Sequence, residues 1–159
     1  PILPLPRQLQ INKCLEAARV EKSIGASLEA KALVHSDDPI LSAALAKYAD
    51  AASDNGVDEL RYFFLTSSVK VVDDPKQVKE FSAHSKTATE PYPSTVGVGA
   101  ADGSKCERCW HYSTSVGESA EYAGVCSRCV SSLTLMDFPA VAAEPEKVAE
   151  PEPIAEPTA

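Results

Sequence analysis

Apolar residues recur at regular spacing through the first third of the chain. From Arg7 to about Lys22 they return every three or four residues, which predicts an amphipathic helix. From Leu28 to Val34 apolar positions alternate with mostly polar ones, and this period of two predicts a strand. Asp37-Asp38-Pro39 supplies a negatively charged helix start, so a second helix is predicted from Ile40 to Ala52.

The next segments are shorter and richer in β-branched residues. Asn55-Gly56 marks a turn, and Asp58 begins a short helical stretch that reaches Phe64. Thr66 to Val72 predicts a strand that ends at Asp73-Asp74-Pro75. Helices and short strands in this order predict an α/β fold.

Four regions follow from this pattern and from the composition. Residues 1–81 hold the α/β part, and residues 82–95, rich in Ser, Thr and Pro, are predicted to form a linker. Four cysteines define a small zinc-ribbon-like module at 96–136. Residues 137–159 carry a repeated Glu-Pro pattern with Ala and Val between, which cannot bury enough apolar surface to order itself, so a disordered tail is predicted.

Composition and charge exclude some classes of protein. The 159 residues are 44% hydrophobic, close to the globular norm, and contain no apolar run long enough to cross a membrane, so no membrane partner is expected. The chain begins with Pro1 rather than Met, which indicates processing or a piece of a longer protein. About half of the net charge of −8 lies in the tail, and the remaining acidic balance does not indicate nucleic-acid binding by bulk electrostatics; no DNA partner is expected.

The spacing of four cysteines carries the strongest chemical signal. Cys106 and Cys109 form one C-x2-C pair, and Cys126 and Cys129 form a second pair after sixteen residues. Each two-residue gap makes a tight turn that points both sulfurs to one side, and two such turns complete a tetrahedron around zinc. Because four thiolates leave no open coordination position, the prediction is one structural Zn²⁺ that does not activate water.

Two other interpretations of the four cysteines stay open. A pair of disulfides requires an oxidising compartment, and no signal peptide is visible. A rubredoxin-like iron site usually has Gly and Pro around its cysteines, whereas Glu107-Arg108 and Ser127-Arg128 fill the gaps here. The fifth cysteine, Cys14, lies alone in the first helix and is predicted to be a small buried hydrophobe.

The remaining aromatic and histidine residues suggest no catalysis. Trp110 is predicted to pack over the small core of the cysteine module, with stacking on a nucleic-acid base as the functional alternative. His111 follows a ligand set that is already complete, and His35 and His84 have no convergent partners. The chain contains no nucleophile-and-base arrangement, phosphate-binding glycine loop or paired carboxylate site, so no catalytic residue is assigned.

Three segments together resemble one family. They are Asn12 to Arg19 with Lys22 to Ala30, then Asp58 to Ser67 with Val69-Lys70-Val71, and finally Asp102 to Trp110 with Tyr112, Val116-Gly117 and Cys126 to Cys129. In order and spacing they are similar to the end of bacterial-type isoleucyl-tRNA synthetases, over roughly residues 7 to 136. The last segment resembles the C-terminal zinc finger of that family.

The resemblance implies a supporting role in an ATP-dependent ligase reaction that attaches isoleucine to tRNA. The catalytic and editing domains, with their HIGH-like and KMSKS-like signatures, would lie upstream and are not in this chain. The implied partners are an isoleucine-accepting tRNA and those upstream domains, and the implied location is the cytoplasm, or a plastid or mitochondrion in a eukaryote. Candidate tRNA contacts are the basic residues of the first helix and of the finger: Lys13, Arg19, Lys22, Lys105, Arg108 and Arg128.

Two other classes of protein are weighed against this resemblance. Formamidopyrimidine-type DNA glycosylases end in a similar finger and begin with a catalytic proline. Their start is Pro-Glu-Leu-Pro-Glu, however, and this chain has Pro1-Ile2-Leu3-Pro4-Leu5 and is too short for the whole enzyme. The other alternative is a free-standing zinc-ribbon adaptor without an RNA role.

Overall fold

The computed structural model describes residues 10–50, 60–89 and 92–140. In chain order, the helices are α1 Ile11–Val20, α2 Pro39–Asp50, α3 Leu60–Phe64, α4 Pro75–Phe81 and α5 Ser127–Leu135. The strands are β1 Ala30–His35, β2 Ser68–Val71, β3 Lys86–Ala88, β4 Ser94–Ala100, β5 Ser104–Lys105 and β6 Tyr112–Ser113, and a short 3-10 turn spans Ser27–Glu29.

The first four strands form one mixed sheet in the order β2-β1-β4-β3. Strands β1 and β2 are parallel, so α2 and α3 lie in the crossover that joins them. Strand β4 is antiparallel to both β1 and β3. The short strands β5 and β6 pair separately, in the cysteine-containing part of the chain.

The main core lies on one face of this sheet. Alternate residues of β1 and β4, such as Val34 and Val98, pack there against the apolar stripe of α1 and against α2. Leu45 of α2 is fully buried in the same cluster. Burial of these alternating positions is the main source of stability for the sheet region, which we define as residues 10–50, 60–89 and 92–101.

Helix α4 covers the opposite face of the sheet. Val78 and Phe81 of α4 pack there against Leu33 and Val72. The helix approaches closely because β4 presents glycine to it: a Cβ built on Gly97 would lie 2.9 Å from the Val78 Cγ1 atom. The sheet therefore lies between helices on both faces, which is the predicted α/β arrangement.

Most of the predicted elements are confirmed within the described residues. The first helix, the strand before Asp37, the second helix, the short helix ending at Phe64 and the strand before Asp73 are all present. Helix α4 is an addition to the predicted elements, since Asp73-Asp74-Pro75 predicts only the end of a strand. Asp74 is also an N-cap, whose carboxylate accepts a hydrogen bond from the Lys76 amide at 2.8 Å.

The predicted linker over 82–95 needs correction in its described residues. It contains β3 and the first residues of β4, which runs through the middle of the sheet. The Ser82 hydroxyl is hydrogen-bonded inside the fold: it donates to the Val98 carbonyl at 2.5 Å and accepts from the Val98 amide at 3.1 Å. The segment therefore belongs to the sheet region, while the outer limits of the four predicted regions stay a prediction.

Some predictions lie outside the described residues. They are the turn at Asn55-Gly56, the start of α3 at Asp58 and most of the predicted disordered tail, residues 141–159. Across the ranges that the structure describes, none of the helices has the length and apolar character needed to cross a membrane.

Candidate metal centre and its junction with the sheet

The first cysteine pair lies in a tight turn between β5 and β6. Pairing of Lys105 with Tyr112 brings the two ends of this turn together. Within it, the Cys106 amide donates to the His111 carbonyl at 2.9 Å, and the Trp110 amide donates to the Cys106 carbonyl at 2.8 Å. These bonds fix the backbone so that the sulfurs of Cys106 and Cys109 lie on the same side.

The second pair lies at the beginning of α5. Cys126 is the N-cap residue, and Cys129 lies in the first turn of the helix. The Cys126 amide also donates to the Cys106 sulfur at 3.3 Å, which joins the two pairs directly. The positive end of the helix dipole lies at these two sulfurs, but burial outweighs it and raises the pKa of both Cys126 and Cys129.

The four sulfur atoms form a compact cluster. All of them lie within 4.8 Å of one another, and those of Cys109 and Cys126 are 3.8 Å apart. A tetrahedral zinc ion with Zn–S bonds of about 2.3 Å places its sulfurs about 3.8 Å apart, so the geometry fits the predicted metal. Cys106, Cys109, Cys126 and Cys129 thus form a site for one structural Zn²⁺ with no coordination position left for substrate.

The surroundings of the sulfurs stabilise negative charge unevenly. Burial opposes ionisation of Cys106, but hydrogen bonds from the backbone amides of Cys109, Cys126 and Arg108 lower its pKa to about 6. Burial raises the pKa of Cys129 to about 12, although the Arg108 guanidinium donates to its sulfur at 3.7 Å. Because zinc binds thiolates, loading the metal releases protons and is favoured as the pH rises.

The core around the metal centre is small. Its buried residues are the cysteines Cys106, Cys126 and Cys129 together with Tyr122, Val125 and Leu133. The Tyr122 hydroxyl donates to the Phe138 carbonyl at 2.5 Å, which holds the end of α5 against the loop before Cys126. We call residues 103–138 the finger; the metal and these few side chains hold it together.

The prediction that Trp110 packs over this core is wrong. Its side chain is 61% exposed, and Tyr122 and Leu133 fill the positions beside the sulfurs instead. Trp110 has φ +64°, the left-handed conformation that the turn after Cys109 requires and that bulky residues rarely adopt. The ring therefore points outward, with the Lys105 ammonium 5.1 Å from its centroid.

The other residues singled out from the sequence lie outside the metal centre. The Cys14 sulfur is buried under the sheet, 3.7 Å from the Val96 carbonyl, and burial raises its pKa to about 11, so its predicted role as a small hydrophobe is confirmed. His35 is buried with Nδ1 3.0 Å from the Val72 carbonyl oxygen. His84 lies with Nε2 3.4 Å from a Glu21 carboxylate oxygen.

The six candidate tRNA contacts separate into two groups. Lys105, Arg108 and Arg128 lie in the finger, and Lys13, Arg19 and Lys22 lie on or just after α1. Arg19 is already paired with the Glu16 carboxylate and the Ser27 hydroxyl. In the described part of the chain, no hydrogen bond or ion pair connects the α1 group to the finger, so the structure does not bring the two groups into one cluster.

Polar contacts join the finger to the sheet region. The Ser67 hydroxyl donates to the Leu28 carbonyl and accepts from the Tyr112 amide at 2.7 Å. Just before the finger begins, the Asp102 carboxylate contacts the ammonium of Lys31 on β1 at 2.5 Å. These contacts anchor β6 and the start of the finger against the sheet.

A cleft of about 270 Å³, which we call the junction cleft, opens between the two regions. Arg61 and Arg128 line it, and neither Arg61 nor the neighbouring Tyr62 is marked as a site residue by the sequence. The Tyr62 hydroxyl accepts hydrogen bonds from Arg61 at 3.2 Å and from Arg128. The imidazole of His111 is next to the Tyr62 ring, 6.3 Å between centroids, and its pKa is lowered by burial and by the charges of the two arginines.

Nothing local in the sequence marks this cleft. Arg61 and Arg128 are 67 positions apart and meet only because the finger folds back onto α3. From the sequence alone, each of these two arginines is indistinguishable from an ordinary solvated side chain. The pairing depends on tertiary structure that no spacing rule describes.

Comparison with known proteins agrees with the geometry of the metal centre. Residues 103–131 match the family model described as a zinc finger found in FPG and IleRS. This range contains all four cysteines of the cluster.

Longer matches extend through the sheet region as well. An isoleucine–tRNA ligase of Nostoc sp. is 48% identical over 129 residues, which is 80% of this chain and 13% of that protein. Isoleucine–tRNA ligases of Synechococcus sp. and Microcystis aeruginosa are 45% and 43% identical over 126 and 133 residues, 78% and 80% of this chain, again 13% of each relative. The chain thus spans about one eighth of the length of these relatives.

Proposed function

Since about four fifths of this chain is homologous to a segment of isoleucine–tRNA ligases, we propose that it forms the tRNA-contacting, zinc-finger end of such a ligase. ATP-dependent attachment of isoleucine to tRNA would then be carried out by the catalytic domains of the longer protein. The residues of this chain would contact and orient the tRNA. Trp110 is the observation that carries this proposal.

Trp110 has the properties of a base-stacking platform. Its side chain is 61% exposed, although burial of an apolar ring away from water would be more favourable in free energy. The turn that holds Cys109 fixes its backbone, so the ring is presented on a rigid support. Unpaired RNA bases are recognised by stacking on such exposed aromatic side chains.

Positive charge near the ring supports the same role. The Lys105 ammonium lies against the Trp110 ring, and Arg108 is exposed on the turn between the two cysteines. Because the whole chain carries a net charge of −8, long-range attraction to RNA is unfavourable and contacts must be local. A few phosphate contacts give an affinity of about 10⁻⁴ to 10⁻⁶ M at physiological salt. Selection of the isoleucine tRNA would then reside mostly in the other domains of the ligase.

The proposal is tested with the zinc-loaded chain and two variants. Trp110→Ala removes the exposed ring of the finger, and Phe138→Ala removes another exposed aromatic ring while keeping its backbone contacts. Binding of an isoleucine tRNA and an unrelated tRNA is measured by fluorescence anisotropy over a series of salt concentrations. Loss of one stacked base is expected to weaken binding by about 5- to 150-fold for Trp110→Ala, against little change for Phe138→Ala.

Two results would overturn the proposal. The first is an absence of binding to either tRNA by the wild-type chain at low salt, which would favour the zinc-ribbon adaptor. The second is equal affinity for the two variants, which would remove Trp110 from the contact. Unchanged zinc content in both variants shows that the finger is intact in each measurement.

A further inference from the structure

Two arginines in the junction cleft are held near each other by the fold. The guanidinium of Arg61 lies 5.0 Å from the centroid of the Tyr62 ring, and that of Arg128 lies 6.0 Å from it. Both also donate hydrogen bonds to the Tyr62 hydroxyl. One tyrosine therefore positions two cations from different regions of the molecule.

Neither cation is paired with a carboxylate in the part of the chain that the structure describes, although Arg128 also interacts with the sulfurs of Cys109 and Cys129. The ion pairs there involve neither Arg61 nor Arg128. Asp102 is the acidic residue of the cleft lining, and its carboxylate is already in contact with Lys31. The two like charges repel each other, and an anion bound beside Arg61 would relieve that repulsion.

Arg61 also has a donor left without an acceptor. Its Nε atom is buried and makes no hydrogen bond to the described residues. A buried N–H without a partner is unfavourable, and it leaves Arg61 with hydrogen-bonding capacity that its described neighbours do not use. The planar guanidinium matches the oxygens of a phosphate group better than an ammonium does.

We infer that the junction cleft binds one phosphodiester group of an RNA backbone between Arg61 and Arg128, an inference that rests on the proposed function. Its volume of about 270 Å³ is smaller than an ordinary pocket for a whole organic ligand and suits a single backbone unit. Ser68 and Ser127 also line the cleft, and the exposed Tyr62 holds both arginines through its hydroxyl. Because one arginine comes from each region, the contact requires the finger to be folded against the sheet.

The test uses the salt dependence of tRNA binding by the zinc-loaded chain. Arg61→Gln removes one charge from the cleft, and Lys79→Gln removes one from exposed α4 on the other face of the sheet. A lost phosphate contact lowers the slope of log K against log salt by about 0.7 to 0.9 and weakens low-salt binding about five- to tenfold, equally for related and unrelated tRNAs. Arg61→Gln should show this change, and Lys79→Gln and Arg61→Lys should keep the wild-type slope.

Trp110→Ala separates this inference from the proposed function, since loss of stacking lowers affinity with little change in slope. If wild type binds tRNA and Trp110→Ala weakens binding, but Arg61→Gln behaves like Lys79→Gln, the cleft inference is overturned and the proposed function stands. If wild type binds no tRNA, the proposed function fails, and so does the assignment of the cleft to RNA.

A second measurement tests the anion site without RNA. Inorganic phosphate is titrated at constant ionic strength, with chloride as the control, while the amide NMR signals of Tyr62 and Arg128 are followed. Saturable shifts that are lost in Arg61→Gln support the phosphate site, and an absence of saturable shifts in wild type overturns it. Dispersed spectra and full zinc content confirm that Arg61→Gln is folded.

Discussion

The sheet region and the finger are stabilised by different means. In the described residues, the main cluster of the sheet region contains fourteen buried hydrophobic residues drawn from α1, α2, α3, β1, β4 and the loop at Ile24. The cluster of the finger contains six, and half of them are cysteines that bind the metal. Burial of apolar area holds the first region together, whereas the second lacks enough of it and depends on zinc.

This difference affects which residues are free to act. In the sheet region, large apolar residues such as Leu41 and Leu45 are completely buried. In the finger, zinc replaces part of a core, so Trp110 is not needed for packing and lies exposed. A metal-stabilised region can therefore expose an aromatic side chain that would be buried in a region held together by an apolar core alone.

Removal of the metal is expected to produce the largest difference in stability between the two regions. Chelation of zinc, or Cys109→Ser, is expected to unfold the finger and leave the sheet folded, because structural zinc contributes about 10–16 kcal/mol of apparent binding free energy. Hydrogen exchange followed by mass spectrometry should show lost protection in the finger alone, with metal analysis reporting loss of zinc. Ser131→Ala on exposed α5 is the control, and a finger that stays protected after chelation would contradict the expectation.

A cavity in the sheet region should have the opposite effect. Leu45 is fully buried, so Leu45→Ala is expected to lower the free energy of unfolding of this region by about 2–5 kcal/mol. Urea denaturation measures the change, with exposed Lys47→Ala as the control on the same helix. Zinc content in native buffer should be unchanged, and its loss in Leu45→Ala would show that the two regions unfold together.

The contact between the regions is tested at Ser67. Ser67→Ala removes the acceptor of the Tyr112 amide and the donor to the Leu28 carbonyl, which is expected to cost about 1–3 kcal/mol. Exchange rates at β6 should rise more than those at α5, because β6 holds the bond to Ser67. Equal rates in Ser67→Ala and Ser131→Ala would mean that this contact does not hold the regions together.

The smallest expected effect on stability comes from Cys14, the cysteine outside the metal centre. Burial raises the pKa of Cys14 to about 11, so the folded state keeps its proton at pH values where the unfolded state has lost it. Stability from this residue is present below its ordinary pKa and declines as the pH rises towards 11. In zinc-free protein at pH 8, alkylation should label four cysteines rapidly and Cys14 slowly; rapid labelling of all five would contradict its burial.

Elements with strong periodicity are predictable because the spacing of their apolar residues identifies the buried face. The apolar stripe of α1 and the alternation in β1 each identify a buried face without knowledge of the partner. The prediction of a linker over 82–95 is wrong because Ser and Thr occur both in linkers and in strands. Whether Ser82 finds a buried partner depends on Val98, sixteen residues away.

The sequence alone determined the chemistry of the metal centre. Two C-x2-C pairs specify four sulfurs and their two turns, because the local chain geometry directs both sulfurs of each pair to one side. Only the tertiary structure decided that Trp110 is exposed and that Arg61 and Arg128 converge on Tyr62. Exposure and the pairing of distant charges depend on which surfaces remain after packing, and local spacing carries no information about that.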